Sequence, residues 1–164
     1  MIRETVKTVG QLTLATQGER ELVIERTFAA PRQLVFDCHS KPDLVRRWLL
    51  GPPGWTMPVC EIDLRPGGKW HWVWRRTNGT EMEMNGEYRE IVPPERLVQT
   101  ENWGAEWPET LNTLVLTEES DKTTTVTTVL YPSKEARDRA ITTGMEDGWA
   151  RSNERLDEYL RSLA

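Results

Sequence analysis

The sequence predicts an α+β fold in which a curved antiparallel sheet of about seven strands, two short helices and a long C-terminal helix enclose a cavity. Hydrophobic and polar residues alternate through most of residues 57–131, and each stretch ends in turn-forming residues, which indicates an antiparallel meander. Two short stretches with helical spacing precede this meander, and one long amphipathic stretch follows it. A straight helix that packs on a curved sheet leaves a space between the two.

The first strand and the two short helices come before the meander. Branched and aromatic residues predict a strand at 22–28, and Pro31 suits the first turn of the helix that follows. A second helix begins directly afterwards, with Pro42 in its first position. Ser40 is the candidate cap of this helix, because Asp43 stands three residues after it in a capping-box arrangement. A Gly-Pro-Pro-Gly sequence then ends the helix.

The meander supplies the remaining strands of the sheet. Its strongest turn signal is the Asn-Gly pair at 78–79, which is typical of a short hairpin. The polar residues 1–20 are expected to form a loosely held arm or an edge strand, and residues 21–164 to form the single domain. The meander strands are predicted at 57–64, 69–76, 80–92, 96–103, 110–117 and 123–131.

Helical periodicity returns at the C-terminus. Ser133 is the expected N-terminal cap of this region. A break is predicted at 142–144, because two threonines and a glycine oppose continuation of a helix. From Met145 onwards, apolar and small residues form one stripe along the helix. About 19 residues at 1.5 Å each give a helix of about 28 Å, which is long enough to cross the whole sheet.

Alternation within the strands predicts which side chains face the cavity. On one strand three tryptophans share a face, and on its neighbour two methionines and a tyrosine do the same. These aromatic and apolar faces are expected to be the inner ones, and polar side chains join them on the later strands. The predicted ligand-binding residues are Trp70, Trp72, Trp74, Met82, Met84, Tyr88, Gln99, Glu101, Trp103, Asn112, Leu114, Thr127, Tyr131, Met145, Trp149 and Ser152.

This mixture of aromatic and polar residues is typical of a ligand cavity, which is mostly apolar with a few orienting polar groups. The alternative is that the eight tryptophans are simply core and that the polar residues lie at the rim. Glu101 is the sharpest candidate, because a buried carboxylate has a raised pKa and could act as an acid or a base. A salt bridge, or a position at the open end of the cavity, is the alternative for this residue.

Composition excludes several other classes of function. A net charge of −5 argues against nucleic acid or an anionic membrane as partner, and no apolar stretch is long enough to span a bilayer. Two histidines are too few for a multi-histidine metal centre, so neither a metal nor a cofactor is predicted. Adjacent Cys38 and His39 would point apart on a helix, which argues against a catalytic pair. Two cysteines and a polar N-terminus predict a cytoplasmic protein.

Several ordered motifs resemble one protein family. They are similar to the activator of heat shock protein 90 ATPase homologue family, within the START-like or birch-pollen-allergen-like (SRPBCC) superfamily. The resemblance covers about residues 21–163 and implies a helix-grip fold. Superfamily members include carriers of hydrophobic ligands, polyketide cyclases and aromatases, self-resistance proteins and chaperone regulators. The motifs are ERTFAAPRQLVFD at 25–37, WLLGPPGW at 48–55, EIDLRPGG at 61–68, GEYREI at 86–91, PPERL at 93–97 and GMEDGW at 144–149.

Three hypotheses about function follow. The first is a binding module that encloses a small apolar or aromatic molecule. The second is an enzyme of cyclase or hydrolase type that uses Glu101 as acid or base, with Tyr88 or Tyr131 as hydrogen-bond partner. The third is a regulator of a chaperone ATPase or of the stress response that acts through its surface. The chain is expected to be a monomer or a homodimer, because an exposed edge strand would permit pairing.

Overall fold

The computed structural model describes residues 3–163 and shows one antiparallel sheet with helices on its concave side. Residues 1, 2 and 164, which the predicted segments include, lie outside the described residues. The strands, in chain order, are β1 (Arg3–Val9), β2 (Leu12–Gln17), β3 (Glu21–Phe28), β4 (Trp55–Ile62), β5 (Lys69–Arg76), β6 (Glu81–Val92), β7 (Arg96–Glu101), β8 (Thr110–Glu119) and β9 (Lys122–Leu130). The helices are α1 (Arg32–Ser40), α2 (Pro42–Trp48), α3 (Lys134–Ile141) and α4 (Met145–Ser162).

The sheet has nine strands, in the order β1-β2-β3-β9-β8-β7-β6-β5-β4, rather than the predicted seven or so. The two additional strands, β1 and β2, both come from the first twenty residues. Gly10 has a φ of 60° and makes the turn between them, a conformation that favours glycine. Leu12 and Leu14 of β2 are almost fully buried, whereas β1 is almost entirely exposed and forms one edge of the sheet. The alternating Leu-Thr-Leu sequence at the start of β2 is the feature that indicates this strand, because its leucines face the core.

The helix ends agree with the predictions at two sites and differ at a third. Ser133 caps α3, because its hydroxyl oxygen accepts a hydrogen bond from the backbone N–H of Ala136 (3.1 Å). The predicted break is confirmed, since Gly144, with a φ of 75°, separates α3 from α4. The prediction that Ser40 caps α2 is wrong. Ser40 is the last residue of α1, and its hydroxyl donates to the carbonyl oxygen of Phe36 instead (2.9 Å).

Helix α4 is anchored across the concave face of the sheet. It packs against α2, α3 and the first three strands. Arg26 of β3, only 2% exposed, donates a hydrogen bond to the Glu154 carboxylate on α4 (2.8 Å), and its other terminal nitrogen lies 3.8 Å from Asp157. A buried arginine without such partners would carry a large desolvation penalty. These ion pairs therefore fix α4 against β3.

The apolar core is divided into two clusters. The larger one joins α1 and α2 to strands β4–β8, and it contains Trp48, Trp72 and Leu114. The smaller one joins α3 and the start of α4 to strands β2, β3 and β9, and it contains Leu12 and Val129. Both clusters contribute side chains to one cavity. The predicted helix-grip architecture, a curved sheet that holds a long C-terminal helix over a cavity, is confirmed.

Candidate functional site

The cavity has a volume of about 640 Å³ and lies between the concave face of the sheet and α4. Strand β9 shows how the sheet forms its wall. Thr125, Thr127 and Val129 alternate with outward-facing residues, and all three line the cavity. Thr127 is paired with Ile24 of β3 on one side and with Leu114 of β8 on the other, and both of these residues also line the cavity. The middle of the sheet therefore forms a continuous floor.

Most of the predicted ligand-binding residues line the cavity. Those on the wall are Trp72, Trp74, Met82, Met84, Gln99, Glu101, Trp103, Asn112, Leu114, Thr127, Tyr131, Met145, Trp149 and Ser152.

Trp70 and Tyr88, which were also predicted on the wall, do not line the cavity. Both are 1% exposed and lie beside the turn at 66–68, where the backbone N–H of Tyr88 donates to the carbonyl oxygen of Gly68 (2.8 Å). The Trp70 ring fills the space left by the missing side chain of Gly86, because a Cβ atom there would lie 2.6 Å from Trp70 Nε1. Alternation identifies the correct face of the strand, but at this end of the sheet both side chains are packed within the larger apolar cluster.

Several wall residues were missed by the sequence predictions. Leu12 belongs to β2, the strand whose alternation was overlooked. Trp48 is the last residue of α2, and the structure places it both in the core and on the wall. Trp107 belongs to the β7–β8 loop, where no periodicity gives a direction. The wall residues outside the predicted set are Leu12, Ile24, His39, Val45, Trp48, Leu49, Leu50, Gly51, Pro52, Trp55, Leu97, Trp107, Pro108, Thr110, Thr125, Val129, Ala140, Thr143, Gly148 and Asn153.

Within residues 3–163, Glu101 is the only acidic residue on the wall. Burial raises the pKa of Glu101 to about 7, although the side chains of Asn112 and Trp103 oppose this shift by favouring the ionised carboxylate. Asn112 is oriented by Thr110, whose hydroxyl donates to the Asn112 amide oxygen (3.1 Å). Burial raises the pKa of Tyr131 to about 12, and the nearby charge of Glu101 adds to this shift. Glu101 and Tyr131 therefore form the polar end of the cavity.

His39 contributes the other titratable side chain of the wall. Its Nδ1 lies 2.8 Å from the carbonyl oxygen of Val35, so Nδ1 carries the proton. Burial lowers the pKa of His39, which keeps the ring neutral near pH 7. The ring also packs edge-on against Trp48, with 4.8 Å between the centroids. Its neighbour Cys38 is fully buried in the core and does not line the cavity, as expected for adjacent helical residues.

The mouth of the cavity is marked by two large exposed hydrophobic wall residues, Met82 at 43% and Trp103 at 39%. Trp103 stacks on Trp74, with ring planes 5° apart and centroids 5.9 Å apart. The indole N–H of Trp74 in turn donates to the carbonyl oxygen of Leu49 (2.7 Å). This contact ties the tryptophan pair to the loop that follows α2.

Helix α4 holds the loop that follows α2 in place. The backbone N–H of Gly51 donates to the hydroxyl oxygen of Ser152 (2.8 Å), and the Arg155 guanidinium donates to the Gly51 carbonyl oxygen (2.9 Å). Arg155 also donates to the carbonyl oxygen of Trp48 at the end of α2 (3.2 Å). The Gly-Pro-Pro-Gly loop is thus fixed to α4, which gives one side of the mouth a defined shape.

The residues that the structure describes contain no group of three or more His, Cys, Asp or Glu side chains that could hold a metal ion. No helix in the described part of the chain is long and apolar enough to cross a membrane.

Comparison with known proteins agrees with this architecture. The sequence model of the family described as Activator of Hsp90 ATPase homolog 1-like protein matches residues 29–161, which is more than half of the chain. The chain belongs to this family. The match also places it in the START-like (SRPBCC) superfamily and confirms the resemblance seen in its motifs. No curated protein is significantly similar to the chain.

Solved structures share the fold of this Activator of Hsp90 ATPase homolog 1-like family member over nearly its whole length. A protein from Rhodobacter sphaeroides is 27% identical with a TM-score of 0.86, and the match covers 93% of this chain and 99% of the other. A protein from Nitrosomonas europaea is 25% identical with a TM-score of 0.79, covering 90% and 97%. An AHSA1-like protein from Aeromonas hydrophila, 16% identical with a TM-score of 0.71, covers 85% and 93% and is similar in fold.

Proposed function

We propose that this protein binds a small apolar or aromatic molecule in the cavity between the sheet and α4. The observation that carries the proposal is the cavity of about 640 Å³ between two packed clusters. Ligand pockets in proteins typically measure roughly 300–1,000 Å³ and have mostly apolar walls with a few polar groups. The walls here match that description, since tryptophan, methionine and leucine side chains surround Glu101, Asn112 and Gln99.

The cavity is open to solvent at its mouth, where Met82 and Trp103 are exposed, so water fills it when no ligand is bound. Most of its wall is apolar. Water finds few hydrogen-bond partners on apolar walls, so an apolar molecule that displaces it is favoured.

A binding titration with a filling variant and a matched control tests the proposal. The probe is 1-aminoanthracene, an uncharged aromatic molecule whose fluorescence rises in apolar surroundings. The filling variant is Thr127→Phe, which places a ring in the middle of the cavity floor. The control is Thr128→Phe, which places the same ring on the opposite face of the same strand. Saturable binding by the wild type and by Thr128→Phe, with at least tenfold weaker binding by Thr127→Phe, supports the proposal; equal binding by all three proteins refutes it.

A second candidate function is catalysis in the same cavity. It is favoured by Glu101, whose pKa of about 7 suits proton transfer near neutral pH, and by Tyr131 beside it. A ligand recovered from the native host and incubated with fresh protein distinguishes the two functions. A binding module returns the ligand unchanged, whereas an enzyme returns a product whose formation is lost in Glu101→Gln.

A cytoplasmic location and a chaperone partner stay predictions. The family description, which names an activator of the Hsp90 ATPase, supports the second. An ATPase assay of the host's chaperone tests it, because a surface-acting regulator would change the rate and Thr127→Phe would leave that change intact. An ATPase rate that does not change at excess protein would exclude the chaperone as a partner.

A further inference from the structure

We propose that the ligand of the cavity is a hydrophobic amine, bound as its ammonium ion with Glu101 as counterion and the neighbouring tryptophan rings around its apolar part. This inference rests on the proposed function, because it specifies the chemical class of the molecule in the same cavity. Three observations support it. Among the described residues, Glu101 is the one acidic side chain on the wall, no lysine or arginine lines the cavity, and a tryptophan ring lies beside Glu101.

The wall offers no positive charge to a ligand. Among the described residues, no lysine or arginine lines the cavity. The titratable side chains on the wall are Glu101, Tyr131 and His39. The His39 ring is neutral near pH 7 and already donates its Nδ1 proton to the Val35 carbonyl oxygen. A carboxylate or phosphate ligand would therefore enter an apolar space without a counterion, which carries a large desolvation penalty.

Glu101 has no positively charged partner among the described residues. None of the ion pairs among the described residues includes Glu101. Its neighbours Asn112, Trp103 and Tyr131 are polar or aromatic but uncharged. A carboxylate in this position needs either a proton or a counterion from outside the protein. A ligand ammonium group supplies the counterion together with N–H donors, and such charge-assisted hydrogen bonds are the strong ones in proteins.

The aromatic rings near Glu101 suit the same ligand. Trp103 lies beside the Glu101 carboxylate and stacks on Trp74, and Trp149 also lines the cavity. Trp107 is different, because the Arg139 guanidinium already lies over its ring, 4.2 Å from the centroid. The faces of tryptophan rings attract cations, by about 0.5–1 kcal/mol at exposed sites and more when water is excluded. The rings also bury the apolar part of the ligand. One end of the cavity thus combines a carboxylate with indole rings, which is how proteins recognise organic ammonium ions.

A set of three probes with the same ring and different charge tests this inference at pH 7.5. They are 1-naphthylmethylamine, which is cationic, 1-naphthylmethanol, which is neutral, and 1-naphthoate, which is anionic; each competes with bound 1-aminoanthracene. The wild type is expected to bind the amine at least tenfold more tightly than the alcohol, and the acid least. In Glu101→Gln the preference for the amine is expected to fall below threefold, while the affinity for the alcohol is retained.

The control variant is Glu109→Gln, which removes an exposed carboxylate that does not line the cavity and changes the net charge equally. It is expected to keep the preference of the wild type. Loss of the preference in Glu109→Gln as well would assign it to the overall charge and overturn the inference. Equal affinity of the wild type for the amine and the alcohol would also overturn it, while displacement of 1-aminoanthracene would still support binding in the cavity. Failure of 1-aminoanthracene to bind at all would instead refute the proposed function, and the inference with it.

The pH dependence provides a second readout. The amine requires ionised Glu101, so its affinity is expected to rise about tenfold between pH 6 and pH 8, as the ionised fraction increases. The alcohol is expected to show no such rise. Tyr131 and His39, the other titratable wall residues, both stay uncharged over most of this range, since the pKa of Tyr131 is about 12 and that of His39 is lowered. An amine affinity that is independent of pH would contradict the role of Glu101.

Discussion

Replacement of Glu101 by glutamine is predicted to stabilise the protein at alkaline pH and to have little effect at acidic pH. Burial raises the pKa of this carboxyl group from 4.5 to about 7 in the folded state. Between these two values the folded state binds more protons than the unfolded state, so stability falls as the pH rises through this window. Above pH 7 the whole penalty is present, and glutamine, which does not ionise, removes it.

The size of the effect follows from the shift in pKa. One pKa unit corresponds to 1.36 kcal/mol, so the shift of Glu101 represents at most about 3 kcal/mol. Water that enters through the mouth of the cavity reduces this value. We therefore expect Glu101→Gln to increase the free energy of unfolding by about 1–3 kcal/mol at pH 8, and to change it by less than about 0.5 kcal/mol at pH 4.5.

Urea unfolding, followed by tryptophan fluorescence at both pH values, measures the difference. Glu109→Gln is the control, because its carboxylate is exposed and outside the cavity. The control is expected to follow the wild type at both pH values. A destabilised Glu101→Gln at pH 8, or a change of equal size at pH 4.5 and pH 8, would show that the folded state does not disfavour the ionised carboxylate.

Three further predictions concern the scaffold. Gly148→Ala is expected to raise the free energy of unfolding by about 0.5–1 kcal/mol, because alanine is the better helix former. The added Cβ would lie 3.9 Å from Pro52 Cδ, which is an ordinary contact. A loss of stability in thermal unfolding would contradict this prediction. Gly86→Ala is expected to destabilise the protein by more than about 3 kcal/mol, because its Cβ would clash with a backbone oxygen and lie 2.6 Å from Trp70 Nε1. A urea midpoint equal to that of the wild type would exclude that packing. Burial raises the pKa of both cysteine thiols to about 11, so they are expected to react with iodoacetamide at pH 8 only after unfolding. Labelling of the folded protein, measured by mass spectrometry, would disprove this protection.

Much of the fold was predictable because local chemistry determines it. The tryptophans at every second position of β5 set its inner face, and the Asn-Gly turn sets its pairing with β6. The same rule failed for β1, whose residues are nearly all exposed and polar, so no apolar face marks it as a strand. Edge strands of this kind depend on pairing with a neighbour rather than on burial.

The sequence predicts which strand faces point towards the cavity, but it does not predict how far the cavity extends along them. Alternation states that Trp70 and Trp74 share one side of a strand, yet only the curvature of the sheet decides that Trp70 is packed against Gly86 while Trp74 borders the cavity. Ser40 shows a similar limit, because its hydroxyl had two possible partners and the end of α1 decided between them. Trp107 lies in a loop, where sequence spacing carries no direction.

A ligand in the cavity between the sheet and α4 would remain bound through gentle purification and ionisation. Native mass spectrometry of the protein purified from its own host, beside the Thr127→Phe and Thr128→Phe variants purified in the same way, detects it. We predict a reproducible small-molecule adduct on the wild type and on Thr128→Phe, and its loss from Thr127→Phe. A bare chain in all three proteins, or an adduct that persists in Thr127→Phe although the new ring fills the cavity floor, would contradict the proposed function.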